Sequence, residues 1–361
     1  MAKLRAVVVG ATGLAGQQFL AALADHPQFE VTGLAASPRN AGKRYLDALK
    51  SPNGMVGWFL SQPLPEAFAS MVMLDGAQVD PSAYDVVFTA VESDIARELE
   101  PRLARHLPVF STASAFRYEA DVPLLLPPVN AHHVELVKVQ QRQRGWKGFV
   151  LPIPNCTTTG LAMALAPLHE SFGVRAVMMT SMQAVSGAGR SPGVIALDIT
   201  DNVIPYIPGE EHKVELETRK ILGTLEGEAI APLPMRMSAT CTRVAVLEGH
   251  TECVSVSLER PASVEEVTRV LRDWKGHPLT RGLHSAPASW IRVHDDPFRP
   301  QPRLDRDADE GMSTAVGRIR EDAVLENGIK LVLLSHNTKF GAAKGAILVA
   351  EQVLSQGLLD G

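Results

Sequence analysis

Cysteine is scarce in this sequence, with three residues in 361: Cys156, Cys241 and Cys253. No two of them form a C-x-x-C pair or show metal-ligand spacing, which argues against a disulfide framework and leaves no metal site expected. Long apolar runs are missing too. The opening MAKLRAVVVGATGLAG has a basic tip and an apolar stretch, like a secretory leader. Gly10, Thr12 and Gly13 interrupt it, however, and no later segment supplies the ~18 apolar residues that a bilayer span needs. No membrane partner is expected, and a cytoplasmic location follows by elimination. Blocks of one charge are absent as well: the formal charge is −5, and even Arg292 to Arg320 carries Asp and Glu between its arginines. Nucleic acid is therefore not an expected partner. There is no internal repeat and no low-complexity tract.

What remains is an ordinary globular composition, 45% apolar and 21% charged, in a chain too long for one core. Domain sizes favour two lobes sharing a cleft. Arg5 to Val9 is a short apolar run ending in glycines, and Leu14 to Ala24 carries apolar residues at helical intervals, giving strand, turn, helix. Val31–Ala35, Val86–Ala90 and Pro108–Ser111 are further strand candidates, and the helix-like IARELEPRLARH follows the third strand. Strands alternating with helices imply a parallel sheet, because parallel neighbours need a long connection. The proline-rich stretch Asp121 to Asn130 reads as the exit from this first domain. Beyond it the pattern suits an α+β domain, with strands predicted at Val174–Ser181, Thr242–Leu247, Glu252–Glu259 and Ile329–Leu334. Helices are predicted at Pro261–Trp274 and Gly345–Leu358, the latter opening on small residues that allow close packing on the first domain.

Gly10, Thr12, Gly13, Leu14, Ala15 and Gly16 form a G-x-x-G-x-x-G turn between the first strand and the first helix. Glycines there let a pyrophosphate approach the backbone and rest against the free amides of the helix N-terminus. An NAD enzyme places Asp or Glu about 20 residues on, to bind the ribose 2′-hydroxyl. Here that acidic residue is missing. The sequence instead reads Ala36-Ser37-Pro38-Arg39, with Lys43 and Arg44 following, and Ser37 and Arg39 suit a 2′-phosphate, favouring NADP(H).

Cys156 lies between a proline-containing approach, Leu151 to Asn155, and the helix-like LAMALAPLHE. A thiolate at a helix N-terminus is stabilised by the positive end of the dipole, so this cysteine is the candidate nucleophile. Cys241 and Cys253, in apolar strand-like surroundings, read as buried structural cysteines. A cysteine nucleophile needs a proton-transfer partner and oxyanion stabilisation. Arg243 and His250 flank the predicted strand in CTRVAVLEGHTE and would face one cleft from its opposite ends. His132, His133, His212 and His294 sit in polar, loop-like stretches and read as solvated; His336 is a lesser candidate.

Taken together, the motifs resemble aspartate-semialdehyde dehydrogenases, particularly the archaeal and fungal branch. The matching stretches are GATGLAG, PNCTTTGL, QAVSGAG, DNVIPYIPGEEHKVE, TRVAVLEGHTE, RPQPRLDRDADEGM, VGRIRED and HNTKFGAAKGAILVAE. The resemblance implies an N-terminal Rossmann-type parallel sheet that binds NADP, residues 1–130 plus 341–361, and an α+β catalytic and dimerisation domain, residues 131–340. It implies that Cys156 attacks L-aspartyl-4-phosphate, phosphate leaves, and NADPH reduces the thioester to L-aspartate-4-semialdehyde, reversibly, on the route to lysine, threonine and methionine. His250 would be the acid/base. Asn155, Gln183, Glu210, Lys213 and Arg243 match substrate-binding positions: Glu210 for the amino group, Arg243 for the α-carboxylate, and Lys213, with Arg117, for phosphate. Ser186, Gly187, Asn337 and Thr338 would lie near the nicotinamide. Self-association as a homodimer or tetramer is implied, with the small-molecule substrate and phosphate as the other partners.

Departures from the family pattern are Thr112 and Thr242 where asparagine is usual, Val91-Glu92 in place of Leu-Pro, and Phe340 and Lys344 in the run near the C-terminus. They leave open a reductase of another acyl phosphate or of an acyl-coenzyme A thioester such as malonyl-coenzyme A, which has no phosphate to bind. A silent NADP-binding redox sensor that keeps the fold is the non-enzyme alternative.

Overall fold

A computed structural model describes residues 2–189 and 193–359. Met1 and residues 360–361, the outer ends of the expected first domain, lie outside the described residues. The chain divides into two compact units, Met1–Leu125 with His133–Ile153 and Ala342–Gly361, and Leu126–His132 with Pro154–Gly341. This moves the boundary expected at residue 130. The strand Phe149–Pro152 pairs with Pro108–Ser111, so its hydrogen bonds hold the segment before the nucleophile in the first unit.

The first unit is a six-stranded parallel sheet of β1 (Leu4–Val9), β2 (Phe29–Ala36), β3 (Met73–Asp75), β4 (Val86–Thr89), β5 (Pro108–Ser111) and β6 (Phe149–Pro152). Its order is β3-β2-β1-β4-β5-β6, and every neighbouring pair runs parallel. Strands β4 and β6, β5 from Val109 onward, and the C-terminal halves of β1 and β2 are buried on both faces, as crossover helices require. One face packs Phe88 and Phe110 against Phe19 of helix Leu14–Leu23 and Ile347 of helix Lys344–Ser355; the other packs Val87 and Val109 against Leu99 and Leu103 of helix Ser93–Ala104. The strand order reverses its direction of growth between β1 and β4, the switch point at which doubly wound sheets bind ligands.

The second unit holds β7 (Val174–Gln183), the small hairpin β8 (Thr224–Glu226) and β9 (Ala229–Ala231), β10 (Arg236–Arg243), β11 (His250–Leu258), β12 (Ile291–Val293), β13 (Thr314–Glu321) and β14 (Gly328–Ser335). Six of them form a mixed sheet in the order β10-β7-β11-β14-β13-β12. Helices Cys156–Phe172, Glu210–Ile221 and Val264–Asp273 pack on this sheet. The strand expected at Thr242–Leu247 is instead Arg236–Arg243, because residues up to Arg243 pair in parallel with β7. The chain then turns through the exposed Leu247 and through Gly249, at φ +97°, into β11. Arg243 and His250 therefore close one strand and open the next, at the same end of the sheet, and do not flank a strand.

No helix among the described residues is long and apolar enough to cross a membrane. Two burial expectations fail: Cys253 is exposed, on the outward face of β11, and His133 is fully buried.

Candidate active site

Alternation along three neighbouring strands builds the site. The inward-facing residues are Val177 and Met179 on β7, Ala239 on β10, and Val254 and Val256 on β11, all buried and apolar. Toward one end the same face changes character, to Ser181 and Gln183, Cys241 and Arg243, and Glu252 and His250. The register joins them, with Arg243 opposite Gln183, Cys241 opposite Ser181, and Ser181 opposite Glu252. A period of two thus delivers an arginine, a glutamine and a histidine side by side.

The helix Cys156–Phe172 begins over this polar end. Asn155 is its N-cap, and its Oδ1 accepts the N–H groups of Thr157 at 2.8 Å and Thr158 at 3.2 Å. Such a cap contributes about 1 kcal/mol and fixes where the helix starts. Cys156 is consequently the first helical residue, within the positive end of a five-turn dipole. Gly341 backs it: a Cβ there would fall 2.7 Å from Cys156 Cβ. Gly160, one turn on, lets the helix settle onto the sheet, since a Cβ would lie 2.9 Å from that of Ser335 and 3.3 Å from a Glu252 oxygen.

Cys156 Sγ is 3.2 Å from Nε2 of His250. The other ring nitrogen, Nδ1, accepts the N–H of Ala184 at 3.1 Å. A nitrogen that accepts cannot also carry hydrogen, so the neutral ring bears its proton on Nε2, aimed at the sulfur. Burial, reinforced by the electrostatic effects of Arg243 and His336, pushes His250 down to about 3. The ring is a neutral donor, and a preformed imidazolium–thiolate pair is disfavoured. Arg243 is also buried, and its Nη1 donates to Ala184 O at 2.8 Å. Burial lowers its pKa while negative charge on Cys156 and on Glu210 opposes that; guanidinium remains charged through such shifts. Gly187 lies against both, because a Cβ on it would be 2.8 Å from Arg243 Nη1 and 3.0 Å from the His250 ring.

Glu210 faces the same end from the helix Glu210–Ile221. Its Oε1 receives Asn155 Nδ2 at 2.9 Å, Gln183 Nε2 at 3.1 Å and Thr157 Oγ1 at 3.4 Å, and its Oε2 is 3.9 Å from Lys213 Nζ. Asn155 thus links the nucleophile's helix to this carboxylate with one side chain. Its own N–H donates to Glu217 Oε2 at 2.6 Å. Beneath lies Glu252, fully buried, with neither carboxyl oxygen hydrogen-bonded among the described residues. Burial, and next the charge of Glu210, raises its pKa well above the usual carboxylate range, which favours the neutral form.

Ser186, Gly187, Asn337 and Thr338 gather around the same end. Asn337 Nδ2 donates to Ser186 Oγ at 2.8 Å, its Oδ1 accepts the N–H of Gly249, and Thr338 Oγ1 donates to Glu248 at 2.8 Å. These bonds tie the turn between β10 and β11 to the segment after β14. Cys156, Asn155, Gln183, Glu210, Lys213, Arg243 and His250 are therefore gathered in one unit.

The remaining expected residues lie in the first unit. Gly10, at φ +87°, leaves β1 at the switch point, where a Cβ would fall 2.1 Å from Ala90 O; a Cβ on Gly16 would fall 2.2 Å from Gly10 O. Gly13 is the N-cap of the following helix, Tyr45 Oη bonds Ala11 O at 2.8 Å, and Thr12, Leu14 and Ala15 are half-buried. The bare backbone at this helix N-terminus fits a pyrophosphate. Ser37 and Arg39 are exposed at the end of β2, beside β1. Arg117 is buried, and its Nη2 donates to Thr112 O at 2.9 Å.

The family model described as "Semialdehyde dehydrogenase, NAD binding domain" matches residues 5–137, and "Semialdehyde dehydrogenase, dimerisation domain" matches residues 165–340. Aspartate-semialdehyde dehydrogenase of Archaeoglobus fulgidus is 47% identical, with 98% of each chain covered. That of Candida albicans is 45% identical over 99% of this chain and all of its own. The chain belongs to the aspartate-semialdehyde dehydrogenase family. A crystal structure of the Candida albicans enzyme with NADP superposes with a TM-score of 0.87 at 42% identity, covering 99% of this chain and 100% of that one.

Within this family member, the threonines that depart from the usual pattern have structural partners. Thr242 Oγ1 donates to Ser181 O at 2.7 Å and Thr112 Oγ1 to Thr89 O at 3.2 Å. Phe340 is buried and stacks on Trp290 at 6.0 Å. Sequence reasoning missed the N–H of Ala184, the acceptor Glu217 and the buried acid Glu252. A backbone N–H leaves no mark in a sequence. Glu252, two residues after His250, shares its face by strand alternation, and that spacing is the signal that could have found it.

Proposed function

We propose that this chain interconverts L-aspartyl-4-phosphate and L-aspartate-4-semialdehyde plus phosphate, with NADP(H), through a thioester on Cys156. The observation that carries this reading is the 3.2 Å contact between Sγ and Nε2, at the first residue of a capped helix. Glu210 and Arg243 suit the substrate's two ends: the tethered carboxylate accepts the ammonium, and the guanidinium, already held by Ala184 O, takes the α-carboxylate. Arg117 and Lys213 are assigned to phosphate.

The helix amides and the Arg243 charge stabilise Sγ as a thiolate once its proton has passed to solvent, and the thiolate attacks the acyl carbon to form a tetrahedral oxyanion. His250 Nε2–H donates to that oxygen as charge develops on it, and the adduct collapses to the thioester, the electron pair of the carbon–oxygen bond leaving on phosphate, which takes up a proton from solvent. Fixed donors of this kind contribute about 3 kcal/mol each to an acyl-transfer transition state. The turn Gly10–Gly16 would hold the dinucleotide pyrophosphate, and Ser37 and Arg39 its 2′-phosphate. When bound, NADPH supplies the hydride that reduces the thioester carbonyl. Collapse of the resulting alkoxide returns the electron pair to Sγ, so His250, expected to act as the acid/base, serves instead as a neutral hydrogen-bond donor whose proton count stays fixed. In the reverse direction Sγ attacks the aldehyde, and phosphate releases the acyl group.

The second unit is assigned self-association, as a homodimer or tetramer, and the enzyme is assigned to the cytoplasm. Steady-state NADP reduction with L-aspartate-4-semialdehyde, with and without phosphate, tests the reaction. Activity that requires phosphate supports it, whereas oxidation of NADPH by malonyl-coenzyme A alone overturns it.

A further inference from the structure

Glu100 is fully buried in the first unit, on the face of helix Ser93–Ala104 that meets the C-terminal ends of β4 and β5. Thr89 Oγ1 and Ser111 Oγ, the last side chains of those strands, both donate to its Oε1 at 2.6 Å. Oε2 has no hydrogen-bond partner among the described residues. The network runs on into the next loop. Thr112 donates through its N–H and its Oγ1 to Thr89 O, Ala113 N–H donates to Ser111 Oγ, and Ser114 Oγ meets Ser93 Oγ at 2.8 Å. Thr112 O in turn receives the guanidinium of Arg117. One carboxyl therefore clamps two strand ends, and the loop they release carries the arginine.

The charges around this carboxyl are few. β4, β5 and β6 bring no titratable side chain, and the helix's own Asp94, Arg97 and Glu98 are exposed. Arg102 is turned to the carbonyls of Gly76 and Val79, and Arg144 to Asp121 and Glu119. Among the described residues, Arg117 is the charged group whose field lowers the pKa of Glu100.

We propose that Glu100 positions Arg117 for the substrate's phosphate and that the charge it carries sets how tightly that guanidinium holds the anion. The proposal rests on the assignment of Arg117 to phosphate made above. Burial pushes Glu100 up to about 7, against the lowering effect of Ser111, Thr89 and Arg117. Below that value it is a neutral acid that keeps the clamp without opposing an anion. Above it, a carboxylate shares the field of Arg117 with the bound phosphate, and affinity falls.

The test is the KM for inorganic phosphate, with semialdehyde and NADP saturating, from pH 6 to pH 8.5 in wild type, Glu100→Gln, Glu100→Ala and Arg117→Ala. Glutamine keeps an oxygen that accepts both hydroxyls and removes the charge. The wild-type to Glu100→Gln ratio of KM cancels the titration of phosphate itself. It is expected near unity at pH 6 and to rise about three- to ten-fold by pH 8.5, with no such trend in kcat. Glu100→Ala, which loses the clamp, raises KM at every pH, and Gln restores it at pH 6. A flat ratio overturns the proposal, and because it involves only wild type and Glu100→Gln it does so even where Glu100→Ala does not fold. The underlying assignment has its own arm. If Arg117→Ala leaves the phosphate KM unchanged, that assignment fails; if it raises KM while the ratio stays flat, only the role of Glu100 fails.

Discussion

A backbone N–H aimed at Nδ1 of His250 leaves the ring one place for its own hydrogen, so the side chain meets Cys156 as a donor. The ring has an ordinary value near 6.5 unfolded and about 3 folded. Between those values the unfolded chain binds a proton that the native one does not, and stability falls as pH falls through the window. His250→Gln removes that dependence. The stability advantage of wild type over the variant is expected to shrink from pH 7 to pH 4 in urea denaturation, and an advantage that grows on acidification would refute the neutral ring. At the opposite end of the substrate, Arg243→Leu is expected to raise the KM for semialdehyde at least about 30-fold, since a bidentate charge-assisted contact contributes 2 kcal/mol or more. The KM for NADP should change less than three-fold. Cys156 was legible in the sequence because its chemistry depends on a local feature, the start of a helix. Glu217 and Glu252 were not, because a glutamate in a strand or helix looks solvated until packing decides which face is covered.

At the scale of elements, Asn155 does two jobs that substitutions separate. Its Oδ1 caps the helix and its Nδ2 holds Glu210. Asn155→Asp keeps the cap and loses the donor; it is expected to unfold within about 1 kcal/mol of wild type while kcat/KM drops ten-fold or more. Asn155→Ala loses both, adding a destabilisation of about 1 kcal/mol, visible as a lower Tm. An Asp variant with unimpaired kcat/KM would show that catalysis does not depend on the Glu210 contact. In the first unit, Gly16→Ala forces a Cβ to within 2.2 Å of Gly10 O, and the KM for NADP is expected to rise far more than that for semialdehyde. The strands of the first sheet were legible where apolar runs ended in glycine or a turn, as in β1, β2, β4 and β5. β3, at Met73–Asp75, is too short to show a pattern, and β6 ends in the proline-rich LPIP. The shift of β10 to Arg236–Arg243 has a different cause: RMSATCTR is polar along its outer face, so the apolar VAVL that follows drew the expectation away from it.

For the molecule as a whole, the division of labour was readable from motif order, while the boundary was not. Residues 133–153 belong to the first unit because β6 completes its sheet, a long-range pairing that no local signal announces. Dinucleotide binding is assigned to the first unit and thioester chemistry to the second, and one measurement addresses both together. Purified wild type and Cys156→Ala are supplied with L-aspartate-4-semialdehyde and NADP, phosphate is varied, and NADPH formation is followed. NADPH binding is titrated separately in each protein. Phosphate-dependent NADPH formation is expected in wild type and none in the variant, with NADPH affinity in the two within about three-fold, since the lost thiol lies outside the turn assigned to the pyrophosphate. Turnover by Cys156→Ala, or wild-type turnover that ignores phosphate, would contradict a thioester on this cysteine that phosphate releases.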